Sequence, residues 1–254
     1  MQVANLLKRL IGVRPHADRF GTTGIAGKQH ERCNVHSFAA SRQRAVSDQS
    51  RIRLLAEEVA AERSRTADSD TQDKVRLESR CLIAAAKRAG CYIDASIQFG
   101  QRISKRTGES EVYWHPEDKT YVKVKNPFAK LHLKNHDASA VLFEHVVHNV
   151  VFPEARLEFA GVTEQMGEAR LVFRQAAVCA DHLPTDQLIA DRLADLGFQP
   201  EGRYGFGNEW ILITDVMASS DNVLLGDDGK LYFIDPIIGF KHPPEETIAG
   251  LLQA

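Results

Sequence analysis

Apolar residues recur along this chain first at helical spacing, then at alternate positions, then in short helical and strand-like blocks. Ile52, Leu55 and Val59 mark one helical face and give way to a polar run, Ser64–Asp70, that reads as a linker. Val75, Leu77, Cys81, Leu82, Ala85 and Ala89 mark a stronger helix, and Gly90 stands where a C-terminal cap belongs. Beyond it the period falls to two. Tyr92 to Ile103 holds short β-like pieces, and Glu111–Trp114 and Tyr121–Lys125 read as strands joined by a turn at His115–Lys119. A helix over Ser139–Val150 follows, with Val141, Leu142 and Val146 on one side; Glu158–Gly161 and Arg170–Arg174 read as two further strands. Thr185 is an N-cap for a helix over Asp186–Leu196 that Gly197 ends. The last elements expected are a strand over Glu209–Thr214 and a hairpin, Asn222–Leu225 and Leu231–Ile234, around the turn Gly226–Gly229.

Composition changes this picture mainly at the start of the chain. With 43% hydrophobic and 26% charged residues the whole is ordinary for a globular protein, and a net charge of −2 gives no global pull toward nucleic acid or membrane. Residues 1–70, however, carry 12 Lys+Arg against 8 Asp+Glu, and Phe20 and Phe38 are the sole aromatics there. Such a stretch buries too little apolar surface to offset its ordering entropy. The expected division is therefore a mostly disordered or helical N-terminal extension, 1–70, and a folded domain, 71–254. Met1–Gly12 reads as a short amphipathic helix, either a docking point for a protein partner or a helix that docks on nothing. Glu and Asp interleaved with the arginines argue against nucleic acid as the partner. The four cysteines show no CxxC pair, which suits free thiols in a reducing cytoplasm, and no run approaches the roughly 18 apolar residues of a membrane span. Ten histidines form no HExxH or related zinc pattern.

Candidate chemistry concentrates in the last hairpin. Asn222 opens one strand and Asp235 closes the other, so pairing across the Gly226–Gly229 turn brings an amide and a carboxylate side by side. Hard oxygen ligands of that kind suit Mg²⁺, with phosphates and water completing its shell. A plain surface hairpin with polar ends is the alternative. Upstream, Lys123 lies on an alternating strand with Val122 and Val124 on the opposite face, and Glu144 follows on the next helix. A strand lysine held by a helix carboxylate is how kinases aim an ammonium at phosphates; a solvated strand lysine and a solvent-facing helix glutamate are the bland readings.

The order of these pieces resembles the protein-kinase-like superfamily, and within it the kinase-like domain of bacterial polyvalent proteins from phages and mobile elements. The resemblance rests on Gly108–Tyr113, Val122–Asn126, His148–Pro153 and Phe233–Pro236 and spans about Leu77 to Phe240. It implies an α+β, minimal protein-kinase-like fold with a small antiparallel N-lobe sheet, one αC-like helix and a truncated C-lobe. It also implies ATP and Mg²⁺ as cofactors. Lys123 would contact phosphates and Glu144 would orient it; Asn222 and Asp235 would bind magnesium; Gly108 and Ser110 would belong to the phosphate-covering turn. Gln175 and Ala177 would lie in the hinge that pairs with adenine. Three departures stand out. GxGxxG is absent; Met217 occupies the position five before Asn222 where the catalytic Asp belongs, leaving Asp215, seven before, and Asp221, immediately before, either of which reaches a hydroxyl only if the loop bulges, with Asp215 taken as the candidate base; and 19 residues follow Asp235, without the platform that binds protein substrates. The expected activity is ATP- and Mg²⁺-dependent phosphoryl transfer to an unidentified acceptor. The alternative is a catalytically impaired, nucleotide-binding pseudokinase acting as an interaction module.

Overall fold

The computed structural model describes residues 51–61, 71–104, 109–129, 138–180 and 182–242. The amphipathic start, the stretch to Asp48 and Gly108 lie outside the described residues. Residues 51–61 are helical, and three further helices follow: α1 (Thr71–Arg88), α2 (Ala138–Val151) and α3 (Asp186–Asp195). Gly90 (φ +65°) and Gly197 (φ +87°) end α1 and α3 as their positions predict. In each case paired backbone bonds run back into the last turn, Cys91 N to Ala86 O and Phe198 N to Leu193 O. Thr185 caps α3 by accepting from the Leu188 N–H at 3.2 Å.

Five antiparallel strands form the first sheet in the order β1-β2-β3-β5-β4. They are β1 (Gln101–Arg102), β2 (Ser110–His115), β3 (Thr120–Lys125), β4 (Leu157–Gln165) and β5 (Glu168–Ala176). Gly100, at φ +109°, lies so close to β2 that a Cβ there would collide with the Trp114 carbonyl. A second sheet, in the order β11-β8-β7-β6, joins β6 (Gln199–Glu201), β7 (Gly205–Gly207), β8 (Ile211–Thr214) and β11 (Ile237–Phe240). The predicted hairpin is β9 (Val223–Leu225) with β10 (Leu231–Phe233), in the register Val223 opposite Phe233. The result is a mixed α/β architecture whose sheets are antiparallel.

Strand alternation sorts the first sheet into two faces. Val122, Val124 and Val172 lie on one, packed with Ile93, Phe99 and Tyr113. Lys123 pairs with Val112 and Phe173, so these three share the opposite face, which looks into the main core. α2 bridges two cores. Ala138, Val141 and Leu142 belong to the cluster under that sheet, and Val147 and Val151 to the cluster formed by α3, β8, β10 and β11.

The expected boundary at residue 70 needs correction. Ile52, Leu55, Ala56 and Val59 are all buried, in one cluster with Leu82, Ala85, Leu171 and Phe173. Arg88 and Glu58 add an ion pair between this helix and α1 at 2.5 Å. Low average apolar density over 1–70 masked how far the stripe of this roughly three-turn helix completes the core. Leu55→Ala should therefore cost about 2–5 kcal/mol, as for any fully buried leucine, read as a fall in the urea midpoint at unchanged slope. A fragment beginning at Thr71 should be less stable than one beginning before Arg51. Among the described residues no helix is long and apolar enough to cross a membrane.

Candidate active site

β3 and the β9–β10 hairpin meet at the Lys123 ammonium. Lys123 is 6% exposed; its Nζ donates to the Ile234 carbonyl at 2.7 Å and to Asp235 Oδ1 at 3.3 Å. A buried ammonium is tolerable only with such partners. Burial still lowers its pKa, the Asp235 charge opposing and the neighbouring Lys125 assisting. Lys125, two residues on and therefore on the same face, places its Nζ 3.6 Å from the same Asp235 oxygen. For Asp235, burial works to raise the pKa, but Lys125, Lys123 and the Lys123 hydrogen bond prevail and bring it to about 2. The carboxylate is thus ionised throughout the physiological range.

Asn222 stands beside Asp235 through the backbone: its carbonyl accepts from the Ile234 N–H at 2.8 Å and lies 3.5 Å from the Asp235 N. Its side-chain amide donates to the Asp215 carbonyl at 3.0 Å and to Asp215 Oδ2 at 2.7 Å. Both donor bonds on Asp215 turn the Asn222 amide nitrogen inward and leave its carbonyl oxygen as the group available to a cation. The seven-residue spacing from Asp215 to Asn222 is taken up by a single turn of 3₁₀ helix, Ala218–Ser220. Left-handed conformations at Asp215 and Asp221, both φ +58°, flank it, and the Ala218 N–H is pinned to Asp186 Oδ1 at 2.7 Å at the start of α3. The Asp215 carboxylate therefore reaches the Asn222 side chain despite the seven-residue spacing.

Glu144 lies on α2 and lines a small pocket with Lys125, His145, His148, Asp235 and Pro236. Lys123 itself is held by Asp235 and the Ile234 carbonyl, not by Glu144. The expected orienting role of Glu144 is thus carried in this structure by the hairpin. Ser110 opens β2 directly opposite Lys125. Gln175 and Ala177, the two residues expected in the hinge, are both engaged with the sheet. Gln175 lies inside β5, paired with Tyr121 on one side and Leu157 on the other, its side chain turned inward to the Ala155 carbonyl at 2.7 Å. The Ala177 N–H is taken by the Lys119 carbonyl at 3.0 Å. Neither residue has a backbone N–H to offer adenine.

Two site residues escaped the sequence reading: the histidines of α2, both buried. His145 packs on Phe173 with ring centres 3.5 Å apart. His148 Nε2–H donates to the Phe233 carbonyl at 2.9 Å, tying α2 to the strand that delivers Asp235. Next to it, Asn149 clamps Leu157 with two hydrogen bonds, from its Nδ2 to the Leu157 carbonyl and from the Leu157 N–H to its Oδ1. Residues 141, 145 and 148 follow one helical stripe, so the spacing held the signal. Burial drives His145 well below its ordinary pKa and His148 to about 4, the Phe233 and Asn149 hydrogen bonds opposing. A histidine whose folded pKa is depressed stabilises the protein above its unfolded pKa and loses that contribution as pH falls. Between pH 6.5 and 4 His148 should cost the fold about 3 kcal/mol, with His145 adding in the same direction. Chemical denaturation at pH 7 and pH 4.5 should show this loss in the wild type and a smaller one in His148→Gln.

The donor set is chemically suited to a magnesium–nucleotide: two hard oxygens, from Asp235 and Asn222, beside two ammonium groups. Among the described residues no group of three or more His, Cys, Asp or Glu could hold a metal alone, so a cation here would rely on phosphate and water for the rest of its shell.

A strand lysine, a hairpin carboxylate and an adjacent loop Asp–Asn pair thus meet at one place. The family model described as serine/threonine/tyrosine kinase found in polyvalent proteins matches residues 76–242, and the chain belongs to that family. No curated protein and no solved structure matches it.

Proposed function

We propose that this protein is an ATP- and magnesium-dependent phosphotransferase in which α2 plays the part of the αC helix and the elements from α3 onward form a reduced C-lobe. The observation that carries the reading is the Lys123 ammonium bound to Asp235 beside Asn222, which itself holds Asp215. Bound magnesium would neutralise phosphate charge and hold the transferring group in line. Asp235 and Asn222 supply its protein oxygens, and Lys123 fixes the Asp235 carboxylate. Asp215, exposed at the end of β8, accepts the proton of an acceptor hydroxyl through its carboxylate. The acceptor is a hydroxyl-bearing group of unassigned identity, and the nucleotide is the first partner.

A nucleotide-binding pseudokinase is the second reading, and the occupied Ala177 N–H and internal Gln175 favour it, because adenine must then find its hydrogen bonds elsewhere. Transfer of labelled γ-phosphate separates the two. An active enzyme modifies itself, a small alcohol or a candidate protein, and Asp215→Asn does not. Binding of magnesium–ATP with no transfer to any of these assigns the pseudokinase.

A further inference from the structure

The site contains a second lysine with no role in the reading above. Lys123 and Lys125 project from the same face of β3 onto one oxygen of Asp235, but their situations differ. The Lys123 side chain is 8% exposed and its ammonium has both a carbonyl and a carboxylate within hydrogen-bond reach. The Lys125 side chain is 22% exposed, and at 3.6 Å its ammonium is an ion-pair neighbour of Asp235 without a hydrogen bond. A cation joining Asp235 would compete with that weaker contact first.

Lys125 also stands at the end of β3 beside the start of β2, which follows in sequence the turn expected to cover phosphates. It stands opposite Ser110, the first residue of β2, and the next residue, Asn126, donates its N–H to the Glu109 carbonyl at 2.7 Å. The sequence of that turn lacks the GxGxxG that offers phosphates a row of backbone N–H groups. The pocket beside Lys125 is lined by Glu144, His145, His148 and Asp235, and His145 Nε2 is buried there with no partner among the described residues.

We infer that Lys125 is a second phosphate-binding lysine: its ammonium takes the outer phosphate oxygens of the nucleotide while Lys123 remains fixed on Asp235 and the Ile234 carbonyl. This rests on the nucleotide reading proposed above. It divides between two side chains the work of holding Asp235 and of gripping phosphate, and it supplies by charge what the glycine-poor turn does not supply by N–H groups.

Calorimetric titration of the full chain with magnesium–ATP, magnesium–ADP and adenosine tests it, on wild type, Lys125→Gln and Lys125→Arg. The expected result is a loss of about tenfold or more in magnesium–ATP affinity for Lys125→Gln, the scale of one charge-assisted hydrogen bond. Adenosine affinity should be unchanged and Lys125→Arg should restore most of the loss. Lys125 is at a strand end and partly exposed, so both variants should keep the wild-type denaturation midpoint. Equal falls in ATP and adenosine affinity, or no fall in either, would overturn the inference while leaving the nucleotide site standing. Absence of magnesium–ATP binding in the wild type would remove the site and this role together.

Discussion

Asp235→Asn should be the most damaging single substitution in the site, lowering magnesium–ATP affinity by about a hundredfold or more. The amide keeps the shape of the carboxylate and removes its charge, and that charge is what the surroundings are built around. Lys123 reaches Asp235 Oδ1 at 3.3 Å and Lys125 at 3.6 Å. Without it, two ammonium groups share a pocket with less counter-charge, and one of them is buried. Removing one member of a fully buried pair costs several kcal/mol. Here the Asp235 side chain is 44% exposed, so water screens the loss, and about 1–3 kcal/mol of stability is expected. The pH dependence gives a separate signature. Because the folded pKa of Asp235 is depressed from the ordinary carboxylate range to about 2, its contribution is complete above pH 4 and is lost as pH falls toward 2. Asp235→Asn should lack that acid limb while retaining the one due to His148, which lies between pH 6.5 and 4.

Asp215→Asn should act on turnover alone. Asp215 occupies the left-handed region at φ +58°, which asparagine tolerates as well as aspartate. The Asp215 main-chain oxygen would still accept from Asn222 and from Ser220 Oγ, at 3.0 and 3.1 Å. The 3₁₀ turn at Ala218–Ser220 would still be pinned to Asp186. What disappears is the proton acceptor. Phosphoryl transfer should fall by about two to four orders of magnitude, the usual scale of general-base catalysis, with nucleotide affinity and denaturation midpoint near wild type. A fall of less than threefold would show that Asp215 serves to hold Asn222 and does not take the proton.

The sequence carried the long elements and the ends of the hairpin, because each has a local cause. α1 and α3 are announced by their apolar stripes and by the glycines that end them, and the β9–β10 register follows from its Asp-Gly turn. β6, β7 and β11 were not legible. They are three or four residues long, Pro200 interrupts one and glycines bound another, and they exist through pairing, β7 and β11 with β8 and β6 with β7. The helix at 51–61 was legible in Ile52, Leu55 and Val59, but its burial in the core was not, because its flanks are poor in apolar residues. Within the site, Lys123, Asn222 and Asp235 were readable because chain order alone brings strand and hairpin ends together. The replacement of Glu144 by Asp235 and the Ile234 carbonyl as the groups holding Lys123 was not, since it depends on where α2 sits on the sheet. Nor does anything local to Gln175 and Ala177 tell that β5 is flanked on both sides.

Titration of the full chain with ATP, in magnesium and again in excess chelator, tests most directly whether Lys123, Asn222 and Asp235 form a nucleotide site. Saturable binding at one site in magnesium, weakened by the chelator and by Asp235→Asn, is the predicted result. Binding that is indifferent to both magnesium and Asp235, or no binding to the folded wild type, would contradict it.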